Sequence, residues 1–105
     1  MAEFVGRPFF SCRNCRNPVA LADDILSRKF RVKSGPAYMF TNATNVVIAR
    51  AQDRELLTGA FSVADIYCSN CHEGMGWKYV RAYDPKQKYK EGRFIIDLSK
   101  ILKEY

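Results

Sequence analysis

Long apolar runs are missing from this sequence. The longest are four or five residues, such as Val46-Val47-Ile48-Ala49. A helix needs about 18 consecutive apolar residues to cross a bilayer, so no helical membrane span is expected. Glycine and proline are sparse, at six and four residues, and fall between apolar segments where they read as turns. No glycine-rich loop of the phosphate-cradling kind is present. Histidine and tryptophan occur once each, as His72 and Trp77, and cysteine only four times. There is no repeat of solenoid period and no low-complexity stretch. The start, Met1-Ala2-Glu3-Phe4, has neither the basic segment nor the apolar run of a secretory signal, and the close, Lys103-Glu104-Tyr105, carries no lipidation motif. The expectation is a chain that is neither secreted nor attached to a membrane.

What is present describes one folded unit. Hydrophobic residues make up 48% and charged residues 27% of 105 residues, a globular composition. That length gives a single domain, 1–105, whose small core gains from a cross-link or a metal. Seventeen basic and eleven acidic residues leave a net charge of +6. Such a surface suits acidic partners and permits nucleic-acid binding, but it equally describes a solvated basic face.

The apolar pattern is mostly of period two or short and β-branched, which predicts a mainly antiparallel β domain of about eight strands. Strands are expected over 7–11, 25–32, 37–40, 45–51, 55–58, 61–67, 76–83 and 93–98. Ala22-Asp23-Asp24 reads as a turn or short helical piece with the two aspartates as caps. Lys33-Ser34-Gly35-Pro36, Gln52-Asp53-Arg54 and Asp84-Pro85-Lys86 read as breaks, and 99–103 as a closing helical turn. Over 76–83, Trp77, Tyr79, Arg81 and Tyr83 are expected on one face.

The cysteines form two Cys-x-x-Cys pairs, Cys12-Arg-Asn-Cys15 and Cys68-Ser-Asn-Cys71, with 52 residues between them. Two residues between thiolates let one tight turn aim both sulfurs at a single ion about 2.3 Å away, and two such turns complete a tetrahedron. Disulfides require an oxidising compartment to which nothing directs this chain. A redox pair would need a helix starting after a strand in a βαβ setting, and iron–sulfur clusters use other spacings. The sequence therefore predicts one structural zinc held by Cys12, Cys15, Cys68 and Cys71. Four thiolates leave no open position, so the metal cannot activate water. His72 follows Cys71 directly and reads as a surface residue beside a completed site rather than as a fifth donor. Asn42-Ala43-Thr44 is a glycosylation sequon, read as fortuitous without a secretion signal.

Beyond the cysteines, Gly35, Asn45 and Gly59 stand at characteristic spacings, together with Leu57-Thr58-Gly59, Val63-Ala64-Asp65-Ile66-Tyr67-Cys68, Gly76-Trp77-Lys78-Tyr79 and Gln87-Lys88-Tyr89-Lys90-Glu91-Gly92. With these in register over about residues 6–102, the chain resembles the yippee-like family of small zinc proteins, in its plant type. It departs from that family's usual residues at Pro36, Met39, Phe61 and Val80. The resemblance implies a single yippee domain with a β-tent fold, in which two antiparallel sheets are pinned by a four-cysteine zinc site. The cereblon drug-binding domain, the Mis18 proteins and methionine sulfoxide reductase B are related in fold.

The resemblance also bears on function. The reductases need a catalytic thiolate besides the four zinc ligands, and the comparable position here is Ile95, which cannot attack a sulfoxide. One histidine beside the metal leaves no serine–histidine–acid set. The chain is therefore read as non-enzymatic. In cereblon-like domains the Gly-Trp-Lys-aromatic segment lines a ligand cage, which points to Trp77 and Tyr79, with Phe40 and Phe61 as substitute walls. The other reading has Trp77 and Tyr79 simply packed between the sheets. The segment Lys86–Lys90 could contact phosphate or a stacked base, or be a solvated loop. The resemblance implies a monomeric protein-interaction module of the nucleus or cytoplasm, with subunits of a CTLH-type ubiquitin ligase among the partners. The alternative is a zinc module that binds nucleic acid through its basic surface.

Overall fold

A computed structural model describes residues 4–104 and shows two antiparallel sheets. In chain order the strands are β1 (Phe9–Cys12), β2 (Pro18–Leu21), β3 (Ile25–Val32), β4 (Gly35–Phe40), β5 (Val46–Ile48), β6 (Gln52–Leu56), β7 (Gly59–Cys68), β8 (Gly74–Ala82), β9 (Phe94–Asp97) and β10 (Ile101–Glu104). The small sheet runs β10-β1-β2. The large one runs β3-β4-β9-β8-β7, and the outer edge of β7 carries β5 at one end and β6 at the other.

The large sheet separates two cores. On the face toward the small sheet, Phe40, Ile66, Met75, Phe94 and Ile96 pack against Phe10, Val19 and Ile101, with Cys12 and Cys68 in the same cluster. On the far face, Ala37, Met39, Phe61, Val63, Tyr79, Ala82 and Ile95 form a second cluster flanked by Phe30, Val32, Leu56 and Trp77. Strand β9 lies between β4 and β8 and is buried throughout, with Phe94 and Ile96 in the first core and Ile95 in the second. This is the period-two geometry of a strand covered on both sides.

The sequence pattern locates most strands, and β3 falls where the alternation places it. The differences have physical causes. Two four-residue strands, β2 and β10, exist through pairing with β1, and the second takes residues read as a helical turn. Only Leu98–Lys100 is helical there, a 3-10 turn capped by the Asp97 carboxylate. Residues 52–54 are not a break but the start of β6, drawn into the sheet by the long open edge of β7. The chain turns instead at Lys33-Ser34, so Gly35 and Pro36 lie within β4. Proline is tolerated because Pro36 faces only β3, and pairing with β9 begins at Ala37. Asp23 and Asp24 make no cap on the 3-10 turn Ala22–Asp24, and Asp23 pairs with Arg7 at 3.2 Å. In β8 the pairing shifts opposite Ser62 and Val63, which meet Arg81 and Tyr79. Val80 is the extra residue of this β-bulge, so Trp77 and Tyr79 share a face but Ala82, not Arg81 or Tyr83, continues it into the core.

Gly76 sets the distance between β8 and β9. Its φ is +150°, and a Cβ there would lie 1.9 Å from the Ile95 carbonyl oxygen. The backbone that needs the missing side chain is therefore β9's own.

Candidate metal centre

Each cysteine pair closes a turn where a strand ends. Cys12 ends β1 in the small sheet and Cys68 ends β7 in the large one. The turns share a hydrogen-bond pattern. The Cys12 amide donates to the Asn17 carbonyl at 2.8 Å, and the Cys12 carbonyl accepts from the Arg16 amide at 2.7 Å. The Cys68 amide donates to the Glu73 carbonyl, and the Cys68 carbonyl accepts from the His72 amide, both at 2.9 Å. Arg16 and His72 occupy equivalent left-handed positions, with φ of 67° and 64°. His72 thus closes the second turn from an exposed position, and the cluster of potential metal donors consists of the four cysteines.

The four Sγ atoms lie within 4.8 Å of one another, with Cys12 and Cys71 3.6 Å apart and Cys15 and Cys68 3.5 Å apart. A disulfide would require about 2.05 Å. A tetrahedron with 2.3 Å metal–sulfur bonds has edges of about 3.8 Å, so the geometry fits one four-coordinate ion. Two ligands come from each sheet, so the ion ties the sheets together.

The surroundings divide the thiols. Burial pushes Cys12 up to about 12. Burial also raises Cys68, but hydrogen bonds from the Cys71 and Asn70 amides and the Asn17 side chain outweigh it, and this thiol falls to about 6. The Asn14 side chain draws Cys71 down as well. Donors aimed at sulfur favour the thiolate that a metal requires. Asn17 and Asn45 extend the support. Asn17 Nδ2 reaches Cys68 Sγ at 3.3 Å and the Asn45 carbonyl at 3.2 Å, while Asn45 Nδ2 donates to the Pro18 carbonyl at 2.7 Å. The role of Asn17 has no signature in the sequence beyond its place two residues after Cys15.

The aromatic candidates do not line one pocket. Phe40 lies in the core on the zinc side, its ring 5.7 Å from that of Phe10. Phe61 and Tyr79 are buried in the other core, with centroids 4.9 Å apart. Trp77 stands edge-on to Tyr79 at 6.1 Å and is half-buried. It lines a groove of about 370 Å³ with Val32, Ser34, Asp65, Met75 and Asp97. Its indole Nε1 is buried, with no acceptor in hydrogen-bonding geometry among the described residues. Arg54 holds Asp65 through two contacts of 3.0 and 3.2 Å. Asp97 accepts from the Ser34 hydroxyl and from the Ser99 amide and hydroxyl. Of the segment Lys86–Lys90, Lys86 and Lys88 are exposed, but Lys90 turns inward and is buried.

Residues 8–104 match the family described as "Yippee zinc-binding/DNA-binding /Mis18, centromere assembly". A yippee-like protein of Arabidopsis thaliana is 52% identical over 104 residues, covering 99% of this chain and 98% of its own length. Protein yippee-like 3 of Danio rerio is 50% identical and that of Homo sapiens 45%, each over 95 residues, which are 90% of this chain and 80% of the relative. The crystal structure of a Mis18 "Yippee-like" domain superposes with a TM-score of 0.73 at 14% identity, covering 94% of this chain and 96% of that one, and so shares the fold. Taken with the four-cysteine centre, these matches establish that the chain belongs to the Yippee-Mis18 family and that Cys12, Cys15, Cys68 and Cys71 are placed to hold its zinc.

Proposed function

We propose that the chain is a non-enzymatic protein-interaction module in which the zinc centre fixes the sheets and the groove beside Trp77 receives a partner. The groove carries this reading. It joins the apolar side chains of Val32 and Trp77 to the polar side chains Ser34, Asp65 and Asp97, a mixture suited to a peptide segment. A centre of four thiolates has no position for substrate, the single histidine closes a metal turn, and Ile95 is fully buried. A subunit of a CTLH-type ubiquitin ligase is the partner class that the family resemblance suggests, in the nucleus or cytoplasm, with the chain acting as a monomer. The test compares proteins recovered with the wild type and with a zinc-loaded Trp77→Ala variant. Loss of a defined partner supports the groove, and an unchanged set overturns it.

A second reading is nucleic-acid binding. Arg28, Lys29 and Arg31 are exposed on β3 and Lys33 in the turn that follows, and the family description includes DNA binding. Titration with an oligonucleotide at two salt concentrations tests this, because phosphate contacts weaken steeply as salt rises.

A further inference from the structure

Lys90 is a buried cation without an anion. It is 2% exposed, and among the described residues no carboxylate lies within ion-pair distance. Its Nζ donates one hydrogen bond, to Thr58 Oγ1 at 2.9 Å in the β6–β7 turn. Otherwise it faces aromatic rings. The centroids of Phe61, Phe30, Tyr79 and Tyr89 stand 5.1, 5.4, 5.5 and 5.9 Å away. Three of these rings belong to separate strands of the large sheet, β7, β3 and β8, and Tyr89 to the 3-10 turn Pro85–Lys90. Ring faces attract cations within about 6 Å of the centroid, and their characteristic ligands are quaternary ammonium groups.

We propose that Phe30, Phe61, Tyr79 and Tyr89 form a cation-binding cage that Lys90 plugs from within, and that an alkylated ammonium group competes for it. The fit of the plug is incomplete. A primary ammonium has three N–H donors, and among the described residues one has an acceptor. A quaternary ammonium has no N–H group, so entering the cage leaves no donor unsatisfied. The spacing toward the nearest ring suits a methyl group. With an N–C bond of about 1.5 Å, a methyl carbon directed at Phe61 would stand about 3.6 Å from the ring centre, at van der Waals contact.

The surrounding backbone is anchored without the lysine side chain. Glu91 accepts from the Ala82 amide at 3.0 Å, the Gly92 amide donates to the Tyr79 carbonyl at 2.8 Å, and the Arg93 amide donates to the Lys90 carbonyl at 3.0 Å. The side chain can therefore leave while Pro85–Lys90 keeps its place. The ligand class is a trimethylated lysine or another quaternary ammonium.

Nuclear magnetic resonance titration with tetramethylammonium chloride, against sodium chloride at equal ionic strength, tests this on zinc-loaded full-length chain. The expected result is saturable movement of the Phe30, Phe61 and Tyr79 ring signals in the wild type, with at least tenfold tighter binding by Lys90→Ala. In the wild type the Lys90 side-chain signals should move toward solvent values as the ligand enters. Binding by Lys90→Ala alone would overturn competition and leave Lys90 as a fixed part of the core. If that variant does not fold, the wild-type titration decides. Wild-type ring signals that respond no differently from those in sodium chloride overturn the proposal.

Discussion

Asn17, two residues beyond the first cysteine pair, donates its side-chain amide to the Sγ of Cys68 in the second pair, 3.3 Å away. One neutral side chain thus supports a thiolate from the opposite sheet and, through the Asn45 carbonyl, the segment entering β5. Groups behind metal ligands typically change metal affinity about 10–100-fold when lost. Asn17→Leu should keep the fold and weaken zinc binding by about that factor. Competition with a chromophoric chelator measures it, and wild-type affinity would show that the amide is not needed.

Removal of the metal should be more severe. The ion fixes residues from both ends of a 52-residue separation, in a domain whose first core contains two of the ligands. Structural zinc binding of this kind supplies about 10–16 kcal/mol, more than the whole stability of a typical small domain. Chelation, or Cys68→Ser, should abolish the cooperative thermal transition and the dispersed amide spectrum. Zinc analysis of the purified wild type should give about one ion per chain. A folded, metal-free protein would contradict this account.

Acid should weaken the small sheet through Glu104. Its carboxylate accepts from the Arg16 guanidinium, at 2.8 and 3.0 Å, and from the Ser11 hydroxyl at 2.8 Å, which hold it below its ordinary 4.5. A depressed carboxylate stabilises the fold fully above its unfolded value and loses that contribution as pH falls through its folded value. Wild type should therefore lose stability below about pH 4.5, and Glu104→Gln should lose less over the same interval. Zinc release acts in the same direction in both proteins. The measurement is thus the difference in melting temperature between them at each pH where both remain zinc-loaded. A difference that stays constant as pH falls from 6 to the lowest value at which both proteins hold zinc would remove Glu104 from this role.

The zinc site could be read from the sequence because its chemistry is local. Each pair needs only two residues between its thiolates, and that spacing survives any uncertainty about strands. The edges of the fold were less legible. β2 and β10 hold four residues each and owe their conformation to β1, which Ile101–Glu104 reaches across most of the chain. On paper, Trp77, Tyr79, Arg81 and Tyr83 alternate without interruption. The bulge at Val80 depends on how β8 pairs with β7, which the spacing of side chains does not encode. The aromatic candidates were recognisable as residues but not as an arrangement. Phe40 faces the opposite side of the sheet from Phe61 and Tyr79. Lys90 belongs to a basic stretch that composition alone assigns to solvent, and only the three-dimensional convergence of four rings accounts for its burial.

Gly76 connects the zinc turn to the groove, and its substitution should separate the two. It follows the second cysteine pair by five residues and precedes Trp77. Alanine there meets two penalties, the left-handed φ of +150° and a Cβ placed 1.9 Å from the Ile95 oxygen. Backbone in such a region costs about 1–3 kcal/mol for a residue other than glycine. The contact is with backbone, so no side-chain rotation relieves it, and β8 must move away from β9. Movement would strain the pairing of Trp77 with Ile95 and of Lys78 with Phe94, and would displace the indole that lines the groove. Gly76→Ala should therefore lose at least about 3 kcal/mol, measured by urea unfolding of zinc-loaded protein. The surviving folded fraction should still hold zinc, because neither cysteine turn contains residue 76. By contrast, Gly74→Ala, whose added Cβ would touch only the Tyr67 ring at 3.8 Å, should fold with near wild-type stability. Equal stability of the two variants would mean that the close approach of β9 at Gly76 is not what positions Trp77.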